Sequence, residues 1–299
     1  MKNKTIQFLE NHSDLKSALK ELGLSGQQIK KHLSTAQKNL SVKSWQKYEV
    51  AASLLNNNRI SPTYHAPSAS DKVRIIKEDE NFLAIEKPHR VHSYPLTYTE
   101  TDNALSFLRA EGRGSIFLNY EEFVDRNLLF RLDYETAGVL LFAKKRVDLK
   151  LLRQEEGHQK IYAAIVEGEF SLKGHFENFY QSIGKKGEKV ECHDDERENA
   201  RLGTLEILGS EYDSENNQSL VFIKLISGVR HQLRSFLKAK EFPILGDELY
   251  GGKQAHNLCL HACYYQVENF SAYSKPLFLR DFLDLDSRFQ MLCDQFGIG

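Results

Sequence analysis

The chain has 299 residues, 41% hydrophobic and 27% charged, with 18 glycines and 6 prolines; this describes a soluble, core-forming protein larger than one usual domain and excludes a disordered or fibrous chain. The apolar stretch at 139–143 is far short of a bilayer span, no apolar signal core follows Met1, and four cysteines make no disulfide framework at this length, so a reducing cytoplasm is expected. The net charge of −1 speaks against a nucleic-acid partner only until it is divided: residues 1–70 hold ten Lys/Arg and four Asp/Glu, a net +6, and the remainder carries −7.

The basic head predicts helices. Leu15, Ala18, Leu19 and Leu22 recur at helical spacing behind Ser13 or Asp14 as cap and ahead of Gly23 as stop. Ser25 and Gln28 have capping-box spacing and open a second helix. Trp45, Tyr48, Ala52 and Leu55 mark one face of a third, which fades into Asn56, Asn57 and Asn58. Pro62, Pro67, Ser68 and Ser70 mark a linker over 61–71, which sets the domains at 1–70 and 71–299. A basic head on an acidic body suits polyanion binding, and equally a solvated helical surface or a packing appendage.

Beyond the linker, strands are predicted at 72–76, 82–86, 138–143, 160–166, 202–208 and 220–226, with helices near 102–110, 146–154, 230–239 and 285–296. The elements interleave without regular βαβ spacing, which predicts an α+β fold on a mixed, mainly antiparallel sheet rather than a doubly wound one. Residues 184–201, dense in both charges, form an exposed hairpin or insertion.

Three segments carry candidate chemistry. Asp133 sits in the loop entering the strand at 138–143, a rigid support that leaves the carboxylate free to face a cleft. Arg131, two residues earlier, projects to the same side of an extended backbone, and Glu135 could complete a glycosidase-like acid pair; a loop aspartate that only caps a turn is the plainer alternative. In residues 227–238 a strand gives way to a helix on which His231, Arg234 and Lys238 share one face and Leu233, Phe236 and Leu237 the other. Arg234 suits a bidentate carboxylate or phosphate, and a surface helix with scattered cations is the alternative. In the strand at 160–168, Tyr162 among small residues could stack on a planar ligand or fill the core. Cys259, His261 and Cys263 follow strand alternation rather than a zinc pattern, and the Cys192–His193–Asp194–Asp195 run sits in a charged loop. No P-loop or dinucleotide fingerprint is present, so neither cofactor nor metal is expected.

Together these segments resemble the RluA-type family of RNA pseudouridine synthases. The stretch F-R-L-D-Y-E-T-A-G-V-L-L-F-A-K at 130–144 is similar to that family's H-R-L-D-x-x-T-S-G-L-L-L-F-A-K, and residues 160–168 fill every fixed position of K-x-Y-x-A-x-V-x-G. Residues 228–234 resemble G-x-x-H-Q-I/L-R, residues 243–251 resemble P-I-x-G-D-x-x-Y-G, and Leu260-His261-Ala262 and Glu86-Lys87-Pro88 supply two further motifs in order. The resemblance implies that Asp133 is the essential aspartate, Tyr162 the tyrosine against the target base and Arg234 the arginine paired with the aspartate. It further implies that Leu233 lines the pocket, that Arg131 fills the RNA stack left by the flipped base, and that His231 and Lys87 belong to the substrate-binding set. Phe130 in place of histidine, Ala137 in place of Ser/Thr, and Val229 with Arg230 one position late are departures that leave Asp133, Tyr162 and Arg234 intact. The expected protein is a monomeric, cytoplasmic isomerase that turns uridine into pseudouridine in structured RNA, rRNA ahead of tRNA, with no membrane partner. A non-catalytic RNA-binding or ribosome-assembly protein on the same scaffold, and a hydrolase using Asp133 and Glu135, are the alternatives.

Overall fold

The computed structural model describes residues 3–8, 11–21, 24–43, 46–51, 54, 73–94, 100, 102–111, 128–144, 152, 158–184, 187–281 and 283–298. They fall into two compact units, one of residues 1–73, 91–128 and 143–147, the other of residues 74–90, 129–142 and 148–299.

In the first unit, two of the expected helices form, Leu15–Glu21 and Gly26–His32. The Asp14 carboxylate accepts the Ser17 backbone N–H at 2.7 Å, and Ser25 and Gln28 close a reciprocal capping box. A second box, Ser34 with Gln37, opens the short helix Thr35–Lys38. The third expected helix is overturned at Tyr48. That residue lies on β2 (Lys47–Ala51), which pairs antiparallel with β1 (Asn3–Gln7), Tyr48 opposite Ile6. Four residues at helical spacing cannot reveal a strand whose partner is at least forty residues upstream. The Tyr48 hydroxyl accepts the Lys43 N–H at 2.7 Å, and the ring joins Phe8, Leu15, Leu19, Ile29, Leu33 and Val50 in one buried cluster. The head is therefore a mixed element with a small core, not a purely helical one. The other expected features there, Leu22, Gly23, Trp45, Ala52, Leu55, Asn56–Asn58 and the 61–71 linker, lie outside the described residues, as do Lys185, Lys186 and, but for Leu152, the 146–154 helix. The 102–110 helix forms as Ala104–Ala110.

The second unit is built on one sheet of ten strands. They are β3 (Arg74–Glu78), β4 (Phe82–Lys87), β5 (Ala137–Ala143), β6 (Gln159–Glu167), β7 (Gly174–Ile183), β8 (Lys189–His193), β9 (Arg201–Asp213), β10 (Gln218–Leu225), β11 (Leu260–Val267) and β12 (Phe270–Tyr273). Their spatial order is β3-β4-β5-β11-β6-β10-β9-β7-β8, with β12 on β11. β11 runs parallel to β5 and antiparallel to β6. The sheet is thus mixed and mainly antiparallel, as the sequence predicts. All seven residues of β5 are buried, which suits its unbroken apolar run; β9 alternates buried and wetter positions. The charged segment after β7 does form a hairpin, Ile183 opposite Lys189, with Val190 buried. Helices Gln232–Ala239 and Leu283–Phe296 complete the unit.

One close approach fixes where β5 enters the sheet. Gly138 has φ +119°, and a Cβ there would stand 2.3 Å from the Ala262 carbonyl oxygen of β11. Only glycine permits this crossing, and it leaves residues 129–136 as a loop turned back on β5, with Leu129 N–H donating to the Leu141 carbonyl at 2.9 Å.

Candidate active site

The 129–136 loop is pinned by the chain that leaves β4. Lys87, fully buried, donates from Nζ to the Pro88 carbonyl at 3.0 Å and to the Tyr134 carbonyl at 3.3 Å. The Arg90 N–H donates to the same Tyr134 oxygen at 2.8 Å, and His89 Nδ1 meets the Glu135 carbonyl at 2.6 Å. Thr136 N–H closes the turn onto the Asp133 carbonyl at 3.2 Å. The backbone oxygens that follow Asp133 are therefore occupied, and the Asp133 carboxylate is left to point elsewhere.

It points at Arg234. The Arg234 guanidinium, buried on helix Gln232–Ala239, spends Nε and Nη2 on the two oxygens of Asp247, both at 2.8 Å. Its remaining nitrogen, Nη1, faces Glu135 at 3.3 Å and Asp133 at 3.7 Å. Asp247 is itself buried and also accepts the Tyr250 N–H at 3.3 Å. A fork held from behind by one carboxylate offers a fixed edge to others in front. His231 Nε2 stands 3.9 Å from Asp133, and its Nδ1 3.1 Å from the Tyr250 hydroxyl. Tyr250 in turn accepts the Val190 N–H and donates to the Val190 carbonyl, which fastens the β7–β8 hairpin to the site.

Helix geometry corrects one expectation. His231 precedes the helix in a left-handed conformation, φ 53°, a sparsely populated state for a non-glycine residue, and Lys238 is exposed whereas Arg234 is buried. His231 therefore stands before the helix rather than on it and reaches Asp133 because the chain bends there, whereas Arg234 and Lys238, four residues apart, do share a side of the helix. Arg230 donates to the Glu188 carbonyl, and Arg131 is exposed.

Charge follows burial. Desolvation raises the Asp133 carboxyl above its ordinary value, against the pull of Arg234, Lys87, Arg230 and Arg131. Burial works against the Arg234 charge, yet the Asp247 hydrogen bonds and charge, with Asp133 and Glu135, raise the group above its usual value and keep it a cation. Burial lowers His231 to about 4, with Arg234 and Arg230 adding to the effect, so it is a neutral partner near pH 7. Burial lowers Lys87 to about 7 against the opposing charges of Asp133 and Glu135. The unfolded chain then holds one more proton than the folded one between about pH 7 and Lys87's ordinary value of 10.5, so stability rises with pH across that window and is flat below it. Urea midpoints taken at half-unit steps from pH 7 to 9.5 are expected to show Lys87→Met with a slope shallower by up to about 1.4 kcal/mol per pH unit. Equal slopes in both proteins would place the Lys87 titration elsewhere.

Tyr162, on β6 and 8% exposed, has its phenol raised by burial and then by Asp133 and Cys263, so it stays protonated. It lines a shallow, open depression together with Phe130, Leu132, Lys160, Ala262 and Tyr265. Leu233 is buried on the helix but is not among the residues of this depression. The structure thus brings Asp133, Arg234, His231 and Lys87 together and couples Tyr162 to Asp133. The anchoring pair Asp247 and Tyr250 had been visible only as a turn motif at 243–251. The buried His261 pairs through Nε2 with the Ser274 hydroxyl at 2.9 Å, and Ser274 donates to Glu86. Among the described residues no cluster of three metal-ligating side chains occurs, and no helix is long and apolar enough to cross a membrane.

Comparison with known proteins agrees with this arrangement. Residues 81–239, more than half of the chain, match the family model described as RNA pseudouridylate synthase. Over 185 residues the chain is 34% identical to "Ribosomal large subunit pseudouridine synthase D" of Borreliella burgdorferi, covering 60% of this chain and 55% of that protein. It is 31% identical over 212 residues to "Dual-specificity RNA pseudouridine synthase RluA" of Haemophilus influenzae, covering 66% and 87%. The chain thus spans about half the length of the first of these relatives. The solved structure of human RNA pseudouridylate synthase domain containing 1 shares the fold at a TM-score of 0.55 and 20% identity, over 76% of this chain and 97% of that one. The matched residues enclose Lys87, Asp133, Tyr162 and Arg234, and on this evidence the chain belongs to the RNA pseudouridylate synthase family, on its RluA-type side.

Proposed function

We propose that this protein isomerises uridine to pseudouridine in structured RNA, with Asp133 as the essential catalytic residue. The observation that carries the proposal is the Asp133–Arg234–Asp247 array, in which a carboxylate at a cleft faces a guanidinium already fixed from behind at 2.8 Å. A uridine must leave its stack before its glycosidic bond can be reached. Asp133 then acts as the bond to uracil breaks. The base turns within the pocket, its carbon 5 joins the sugar in place of nitrogen 1, and the proton that leaves carbon 5 is matched by one taken up at nitrogen 1. Arg234 holds Asp133 in its orientation and favours the ionised form. Tyr162 packs against the base as a protonated phenol, Leu233 supports the pocket wall, and the exposed Arg131 enters the gap in the RNA stack. His231 and Lys87 set the position of the aspartate loop against the RNA. The reaction rearranges one nucleotide and calls for no redox partner or metal.

Residues 1–70, with their net +6, serve as an RNA-binding module beside a catalytic domain of 71–299, in a cytoplasmic monomer. Ribosomal RNA stands ahead of tRNA because relatives are named for the large ribosomal subunit. The test is incubation with unmodified rRNA and tRNA transcripts followed by chemical mapping of pseudouridine. Conversion at discrete positions is expected. Conversion nowhere, with RNA still bound, would leave the binding-protein alternative, and release of free base would point to a hydrolase using Asp133 and Glu135.

A further inference from the structure

Lys160 is 5% exposed, yet its ammonium has no carboxylate or carbonyl partner among the described residues. Its one contact of a polar kind is the Phe130 ring, whose centroid lies 3.8 Å from Nζ. Burial alone pushes the group down to about 8, with no neighbouring charge to oppose it. A buried ammonium that nothing in the protein satisfies costs stability unless a ligand completes it. Lys160 and Tyr162 stand on the same side of β6, and both line the depression whose other walls include Phe130, Leu132 and Tyr265. The donor therefore opens where a planar ring would pack on Tyr162.

We propose that Lys160 contacts the substrate directly, donating a hydrogen bond to a carbonyl oxygen of the uracil held beside Tyr162 and so favouring uracil over cytosine. This rests on the isomerase reading above for the identity of the base. Uracil offers two carbonyl oxygens where cytosine offers one and an amino donor, and an ammonium facing a donor loses its bond and keeps its desolvation cost. A phosphate suits the depression less well, because it would bring a full negative charge against aromatic and aliphatic walls relieved by a single cation.

The experiment measures binding of labelled oligouridylate and oligocytidylate strands to the whole chain, alongside pseudouridine formation on an unmodified rRNA transcript. The wild type is expected to prefer oligouridylate, Lys160→Met to lose about tenfold of that affinity with oligocytidylate unchanged, and Lys160→Arg to keep most of the preference. If the methionine variant does not fold, Lys160→Leu, which also lacks a donor, carries the same contrast. A folded variant that binds oligouridylate as the wild type does would overturn the proposal. So would an equal loss on both strands, which would assign Lys160 to the phosphate backbone. A preference that depends on Lys160 in a protein that forms no pseudouridine sinks the isomerase reading alone. Full activity in Lys160→Met sinks this one alone.

Discussion

Asp133→Asn is expected to lower pseudouridine formation by at least about a thousandfold while leaving the protein folded and RNA-binding. Asparagine keeps the size and the turn geometry: the 3.2 Å bond from Thr136 N–H goes to the backbone carbonyl, not to the side chain. What it removes is the charge. Because burial raises the Asp133 carboxyl, the folded state holds a proton more readily than the unfolded one, and stability falls as pH rises from the ordinary carboxylate value of 3.8 through the raised one. Asparagine carries no such penalty, so at pH 7 the variant should be at least as stable as the wild type. Lost activity with equal or higher stability marks a residue kept for chemistry. Activity within tenfold of the wild type would remove Asp133 from the mechanism, and a drop in stability would make it a structural residue.

Asp247→Ala should show the opposite signature. It leaves Arg234, 3% exposed, with a buried guanidinium whose two best bonds, each 2.8 Å, are gone and whose Nε and Nη2 have no carboxylate, only Nη1 still facing Glu135 and Asp133. Breaking a buried pair from one side costs about 3–5 kcal/mol, a large share of the stability of a domain. Activity should fall as well, since the freed guanidinium can turn from Asp133 toward the vacated space. Adding Arg234→Leu to Asp247→Ala should restore part of the stability and none of the activity, because the double variant no longer buries a guanidinium stripped of its two best bonds. Urea unfolding of the single and double variants measures this. A cost below about 1 kcal/mol for Asp247→Ala would mean that the pair contributes little to holding the site.

Much of the catalytic unit was legible in the sequence because its central strands are apolar runs. β5, β6 and β10 sit within two or three residues of where Val, Ile, Leu and Phe placed them. β7 was missed because Gly174–Ile183 mixes His, Glu, Asn and Gln with few buried positions, and its order comes from neighbours on both sides. Tyr48 was misread for a related reason, since strand β2 owes its existence to β1 and not to its own periodicity. At the site, Asp133, Tyr162 and Arg234 were singled out by residue type and position, and the roles expected of them came from the resemblance. The role of Asp247 was not legible, because spacing along a chain does not say which carboxylate a guanidinium will choose. Lys160 was visible only as a motif position on the strand of Tyr162, for a deeper reason: its anomaly is a missing partner, which appears only once the surroundings are known.

The crossing of β5 and β11 has a bearing on the order in which the protein comes into being. Ala137 and Gly138 pair with His261 and Ala262, roughly 120 residues later, and these are the strand positions that follow the Asp133 loop directly. Arg234 and Asp247 likewise arrive only with the last third of the chain. A ribosome making this protein would release the basic head, able to close its own small core, well before the aspartate loop could be seated. On the function proposed above, contact of the head with RNA would precede the assembly of the site that modifies it.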